Sequence, residues 1–123
     1  MPDTLDVITI ADLIHKRIKL LETMRKEIRE RAENKAVTQS NYDKKLAVTI
    51  VMLKNGSEIE FEGQLVKNPP ITIMKEISKG ICWQEKLQAD RAEALYKSLI
   101  SNIDSVQAEL NGFQSINRHL DGV

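Results

Sequence analysis

The sequence predicts a mainly α protein: a long antiparallel helical hairpin with a short irregular or β connection, assembling as a helical bundle. Three observations carry this. Apolar residues recur at alternating spacings of four and three on both sides of a central break. Neither Gly nor Pro occurs between Asp12 and Asn55, so nothing local forces the chain to stop there. Only five residues are aromatic (Tyr42, Phe61, Trp83, Tyr96 and Phe113), so the apolar content is chiefly Ile, Leu, Val, Ala and Met, which suits helix seams.

The first helix is expected from about residue 9 to 54. Thr9 is its N-cap candidate, with Asp12 in the capping-box position and residues 1–7 a frayed start. Ile14, Ile18, Leu21, Ile28 and Ala32 make its stripe, which Arg25 interrupts with Met24 beside it. The same rhythm continues onto Lys35, Gln39, Tyr42, Leu46, Thr49 and Leu53. A helix of that span would be roughly 70 Å long at ~1.5 Å per residue. One rival is a break at Val37–Ser40, with Ser40 capping a second helix. Another is a β-hairpin pairing 47–53 with 58–62, because Val48-Thr49-Ile50-Val51 is β-branched and Asn55-Gly56 is a hairpin-turn dipeptide. The helix is preferred over both, with Asn55-Gly56 as its C-terminal stop.

Residues 55–70 form the connection. Ile59 and Phe61 alternate with Glu58, Glu60 and Glu62, as on a half-buried strand whose acidic face discourages edge pairing. Asn68-Pro69-Pro70 closes the loop, since proline is welcome only in the first turn of a helix. Residues 71–120 are then helical. Ile73, Met74 and Ile77 open a short apolar face, and Gly80 ends or bends this piece. From Trp83 onward the stripe is Leu95, Leu99, Ile103, Val106, Leu110, Phe113 and Leu120. Gly112 lies inside it, and close approach of another backbone is the expected reason.

At 123 residues the chain has room for a single helical domain. A lone hairpin leaves one side of each stripe wet, so the expected partner is another copy of the chain, as a homodimer or higher oligomer. Net charge is zero, from 18 basic and 18 acidic residues, which argues against a general nucleic-acid binder. Residues 1–56 hold 11 Lys/Arg and 8 Asp/Glu, and the remainder hold 7 and 10. That mild polarity suits antiparallel or intersubunit pairing. Cys82 is the only cysteine, which excludes an intramolecular disulfide and favours a reducing, cytoplasmic setting. No apolar run is long enough to span a bilayer, and the first residues lack the pattern of a signal peptide.

No residue set converges on a reaction, so a non-enzymatic role is expected, with no cofactor and no metal. The five glycines are scattered and build no phosphate-cradling loop. His15 and His119 would approach each other at the end of a hairpin, but a metal site would need further ligands such as Asp12 or Asp121. The basic run around Arg25 and Arg29 is a candidate grip for phosphates; against this, Glu22, Glu27, Glu30 and Glu33 interleave it at ion-pair spacing. Trp83, beside a bend, is placed to stack a base, anchor a partner or plug the end of a bundle. Asn111, Gln114, Asn117 and Arg118, with Ser115, form a polar cluster suited to a ligand or partner groove, or to a solvated face.

The second half resembles a group of small phage and prophage early-region proteins. Asn55-Gly56, Asn68-Pro69-Pro70, Gly80-Ile81-Cys82-Trp83-Gln84-Glu85-Lys86-Leu87, Ala92-Glu93-Ala94-Leu95-Tyr96-Lys97 and the block from Ala108 to Arg118 carry the resemblance. It covers about half the chain, and no residue role transfers with it. It implies a phage setting in a host-cell cytoplasm, and hence recombination support or counter-defence. With two long apolar stripes and too little core for one chain, the expected function is a non-catalytic, phage-type accessory protein, a self-associating helical binding module acting by protein–protein contact, whose candidate partners beyond itself are a host protein or a nucleotide ligand. The alternatives are a sponge that sequesters a nucleotide signal at subunit interfaces, and a single-stranded nucleic-acid-binding recombination accessory.

Overall fold

The computed structural model describes residues 6–121. They form a mainly helical protein: helix α1 (Val7–Lys54), strands β1 (Ile59–Phe61) and β2 (Gln64–Val66), helix α2 (Ile71–Ile81) and helix α3 (Trp83–Asp121). Residues 1–5 of the expected frayed start lie outside the described residues. The chain divides into two compact units, one within Met1–Ala32 and Leu95–Val123, the other Glu33–Ala94.

Helix α1 begins earlier than its sequence signal. Asp6, not Thr9, caps it: the Thr9 backbone N–H donates to Asp6 Oδ1 at 2.7 Å, and Ile10 N–H donates to the Asp6 carbonyl at 3.0 Å. The hydrogen bonds from Thr9 hold the Asp6 carboxyl below its ordinary value. The helix then runs unbroken through Val37–Ser40 and through the β-branched stretch, so neither a break nor a 47–53 strand forms. Its stop is a full Schellman motif. Gly56 adopts φ +82°, Gly56 N–H donates to Leu53 O, and Ser57 N–H donates to Met52 O.

Strands β1 and β2 pair antiparallel, with Ile59 opposite Val66 and Phe61 opposite Gln64. The turn between them is Glu62-Gly63, both at positive φ, the geometry of a two-residue primed turn. The acidic triplet is therefore not one strand face. Glu62 sits in the turn, Glu58 precedes β1 and pairs with Lys67 at 3.4 Å, and only Glu60 points outward from the strand. Helix α2 buries Met74 and Ser78, and the Ser78 hydroxyl is satisfied by donating to Met74 O at 2.8 Å. Gly80 lies inside this helix, and the chain breaks at Cys82 before α3 starts.

In the unit of the two chain ends, α1 and α3 run antiparallel. Arg17 Nε donates to Glu109 Oε2 at 2.6 Å, and Arg31 donates to Leu95 O at 2.8 Å. Their shared core is Leu21, Met24, Leu99, Val106 and Leu110, flanked by Ile14, Ile28 and Ile103. The α1 seam thus follows Ile10, Ile14, Arg17, Leu21, Met24, Ile28 and Arg31, a strict four–three alternation. The expected stripe is correct at Ile14, Leu21 and Ile28 and off by one residue at every other step: Ile18, Arg25 and Ala32 are exposed. Long guanidinium side chains explain the swap. Arg17 lays its stem over the seam while its head reaches Glu109 and the Phe113 ring, 5.7 Å from the centroid. Arg31 does the same with Glu27 at 2.6 Å.

On α3 in this unit the seam is Tyr96, Leu99, Ile103, Val106, Leu110, Phe113, Asn117 and Leu120. Leu95 was expected in it but is exposed, and Tyr96 takes its place. Gly112 is exposed too, and a side chain there would meet nothing within 4 Å. Close backbone packing within this chain is therefore not its reason, and the structure offers no other.

In the unit of Glu33–Ala94, α1 and α3 again run antiparallel, with Lys45 reaching Glu85 at 2.7 Å and Thr49 Oγ1 lying 3.5 Å from Cys82 Sγ. Tyr42, Cys82 and Ala89 form the core with Leu46 packed against it, and Leu53 is fully buried. The α1 seam here is Lys35, Thr38, Tyr42, Leu46, Thr49 and Leu53. Two successive steps of four, at Thr38–Tyr42–Leu46, make a stutter that locally unwinds a heptad seam. Gln39, expected in the stripe, is exposed and bonds Asp43 instead. Facing the α1 seam are Cys82, at the break before α3, and Glu85, Ala89 and Ala92 on α3.

Truncating a true seam residue should therefore cost far more than truncating its neighbour. Leu21→Ala is expected to lose about 2–4 kcal/mol in urea unfolding, and Ile18→Ala less than about 1 kcal/mol. Equal losses would show that the seam runs elsewhere.

Candidate functional site

One concavity lies within the unit of Glu33–Ala94. It is an open groove of about 470 Å³ lined by Asn41, Lys44, Lys45 and Val48 from α1 and by Glu85 and Gln88 from α3. Helix periodicity places Asn41, Lys44 and Val48 on one face, one turn apart. Its floor holds an uncommon feature. Glu85 occupies a seam position between Cys82 and Ala89, where an apolar residue is the rule. One carboxylate oxygen accepts from Lys45 Nζ at 2.7 Å, while the other is buried and accepts no hydrogen bond. The Lys45 ammonium holds the Glu85 carboxyl below its ordinary value, against a desolvation effect of opposite sign.

Around this groove the electrostatics are mixed. Lys86 stacks over the Tyr42 ring at 5.4 Å and pairs with Asp90 at 3.1 Å, which raises the lysine above its ordinary value. Trp83 opens α3 and is exposed, so it does not plug the core of its unit. Cys82 is fully buried, which makes it a small apolar packing residue.

The other candidate residues lie in the unit of the chain ends. Gln114, Asn117 and Arg118 line one shallow groove of about 330 Å³. Ser115, Ile116, His119 and Leu120 line a second of about 230 Å³. Asn117 repeats the pattern of Glu85. It is a polar seam residue whose Nδ2 donates to Asp121 at 3.4 Å, while its Oδ1 is buried without a partner. Asn111 accepts from Gln107 at 3.0 Å and is exposed. Arg25 and Arg29 are exposed on α1. The Arg17–Glu109 and Arg31–Leu95 contacts set them level with the stretch of α3 near Ser101 and Lys97, away from the Asn111–Arg118 cluster. The structure thus joins Gln114, Asn117 and Arg118, and joins neither arginine to them.

By the same register His15 lies level with Asn111 and His119 level with Val7, about 12 Å apart along the axis. Among the described residues no group of three or more His, Cys, Asp or Glu is placed to hold a metal ion. No described helix is long and apolar enough to cross a membrane.

Sequence reasoning missed Asn41, Lys44, Lys45, Glu85 and Gln88. The signal that points to them is Glu85 itself, a carboxylate among the small apolar residues Cys82, Ala89 and Ala92. No protein-family model, curated protein or solved structure matches the chain.

The Glu85–Lys45 pair gives this unit a specific acid response. Its stabilising contribution is complete above the ordinary carboxyl value of 4.5 and disappears as pH falls through the depressed folded value. Glu85→Gln should remove that component: thermal midpoints of the wild type should fall more steeply than those of the variant below pH 4.5. The difference is capped near about 1 kcal/mol, because Lys45 is half-exposed. Parallel acid profiles would contradict the assignment.

Proposed function

We propose that the chain is a self-associating helical binding module that acts by protein–protein contact. The observation that carries this is the apolar surface left outside the seams. In the unit of Glu33–Ala94, Val37, Val48, Val51, Met52, Trp83 and Leu87 are all exposed. In the unit of the chain ends, Ile18, Leu20, Leu95 and Ile116 are exposed as well. Where such side chains adjoin one another on a helix face, they form the kind of patch that marks a contact surface. A two-helix layer buries one stripe per helix, and a further chain is the usual cover for the rest.

The phage setting, with counter-defence or recombination support as its purpose, rests on the likeness of the second half to small phage early-region proteins. The nucleotide-sponge and strand-binding alternatives draw on the basic face of α1 and on Trp83. Two of that face's arginines, Arg17 and Arg31, are engaged with α3, which leaves less positive charge for phosphates.

Light scattering after size exclusion tests the reading. The 14.0 kDa chain is expected to elute at micromolar concentration with at least twice its own mass. A fully helical monomer at that concentration contradicts it.

A further inference from the structure

Two outward stripes of the Glu33–Ala94 unit are spaced alike. On α1, Val37, Asn41, Lys44, Val48 and Val51 follow one another at steps of four and three, and all five are exposed. On α3, Trp83, Leu87, Asp90 and Ala94 do the same, and all four are exposed. Steps of four and three keep each set on a single helix face, the spacing by which one helix seats another. Both stripes carry apolar residues around one charge, and the charges are opposite: Lys44 on α1, Asp90 on α3.

Resting on the self-association argued above, we propose that the α3 stripe of one copy docks antiparallel on the α1 stripe of the next. With Lys44 set against the partner's Asp90, the remaining pairs follow without adjustment. Val48 meets the partner's Leu87, Val51 meets the partner's Trp83, and Asn41 meets the partner's Ala94. The groove that Lys44, Val48 and Asn41 line supplies a concave edge beside the docked helix. A parallel alignment keeps the Lys44–Asp90 pair but sets Asn41 against Leu87 and leaves Val51 beyond Ala94. Antiparallel packing also opposes the two helix dipoles.

The complementarity selects the second copy and the mode of contact. Pairing the α1 stripe with itself across a two-fold axis sets Lys44 against Lys44. Pairing the α3 stripe with itself sets Asp90 against Leu87. The α1 self-pairing opposes two like charges and the α3 self-pairing sets Asp90, already paired with Lys86 at 3.1 Å on its own helix, against an apolar side chain, whereas α1 on α3 brings Asp90 a second cation in Lys44. The contact is heterologous, so a docked pair keeps one α1 stripe on one copy and one α3 stripe on the other free for further copies, and assembly grows with concentration or closes into a ring.

Charge reversal tests the register. The lysine and aspartate are both exposed, so Lys44→Asp and Asp90→Lys should keep the wild-type helicity by circular dichroism. Each alone should raise the midpoint concentration of assembly about tenfold, and the double variant K44D/D90K should recover most of it. In a second measurement, V48C chains mixed with L87C chains should form a disulfide-linked dimer of one of each under a mild oxidant. The proposal is overturned if the wild type assembles and the single reversals leave its midpoint unchanged, or if the double variant is no better than the singles. It is also overturned if V48C links to V48C rather than to L87C. A wild type that stays monomeric at every concentration overturns both this register and the self-association beneath it.

Discussion

A pair of helices can bury only one stripe of each. Everything else in this protein follows from that geometric limit. Along α1 and α3 the seam residues alternate at four and three, except at the Thr38–Tyr42–Leu46 stutter, and each compact unit draws its core from them. The cores are thin: in the unit of Glu33–Ala94 the buried apolar residues are Tyr42, Leu53, Met74, Cys82, Ala89 and Ala92, half of them small. Such a layer removes little apolar surface per residue from water, and backbone ordering opposes it at every position. The apolar side chains on the outer faces are therefore part of the same problem as the seam, and the proposed association would answer it.

Polar residues placed in the seam make its pairing specific. Arg17 and Arg31 cross it and fix the register of α1 on α3 in one unit, and Lys45 with Glu85 does so in the other. A one-step slip would separate these partners and turn the apolar seam residues away from one another; the pairs themselves are partly exposed and contribute on the order of 1 kcal/mol or less each. Glu85 and Asn117 each keep a buried oxygen without a partner, so the seam carries a cost at two places for its polar content. In the proposed docking, the outward Lys44 and Asp90 would play the same part between copies.

Much of the fold was legible in the residues. The absence of Gly and Pro from Asp12 to Asn55 foretold an unbroken α1, and Asn55-Gly56 foretold its end, because only a residue tolerant of positive φ completes the cap. The phase of the seam was half legible. Ile14, Leu21 and Ile28 declare themselves by hydrophobicity, but Arg17 and Arg31 do not, since a long cation can cover a seam with its stem while its charge stays wet. Strand β2 was missed because Glu62-Gly63 is a weak turn signature beside Asn55-Gly56, and the stronger dipeptide turned out to serve the helix. The Asp6 cap was missed because Val7 and Ile8 sit exposed at the helix start and give no periodic cue. The groove at Glu85 was out of reach for another reason. Its lining residues come from two helices, and only the register between them brings Lys45 to Glu85.

Amide hydrogen exchange followed by mass spectrometry across a dilution series tests most directly whether the chain covers its seams but not its outer faces. The account predicts that protection of 37–51 and 83–94 falls as the protein is diluted, while 99–110, around the Leu99, Val106 and Leu110 core, stays protected. Protection that is the same in all three stretches at every concentration would contradict it.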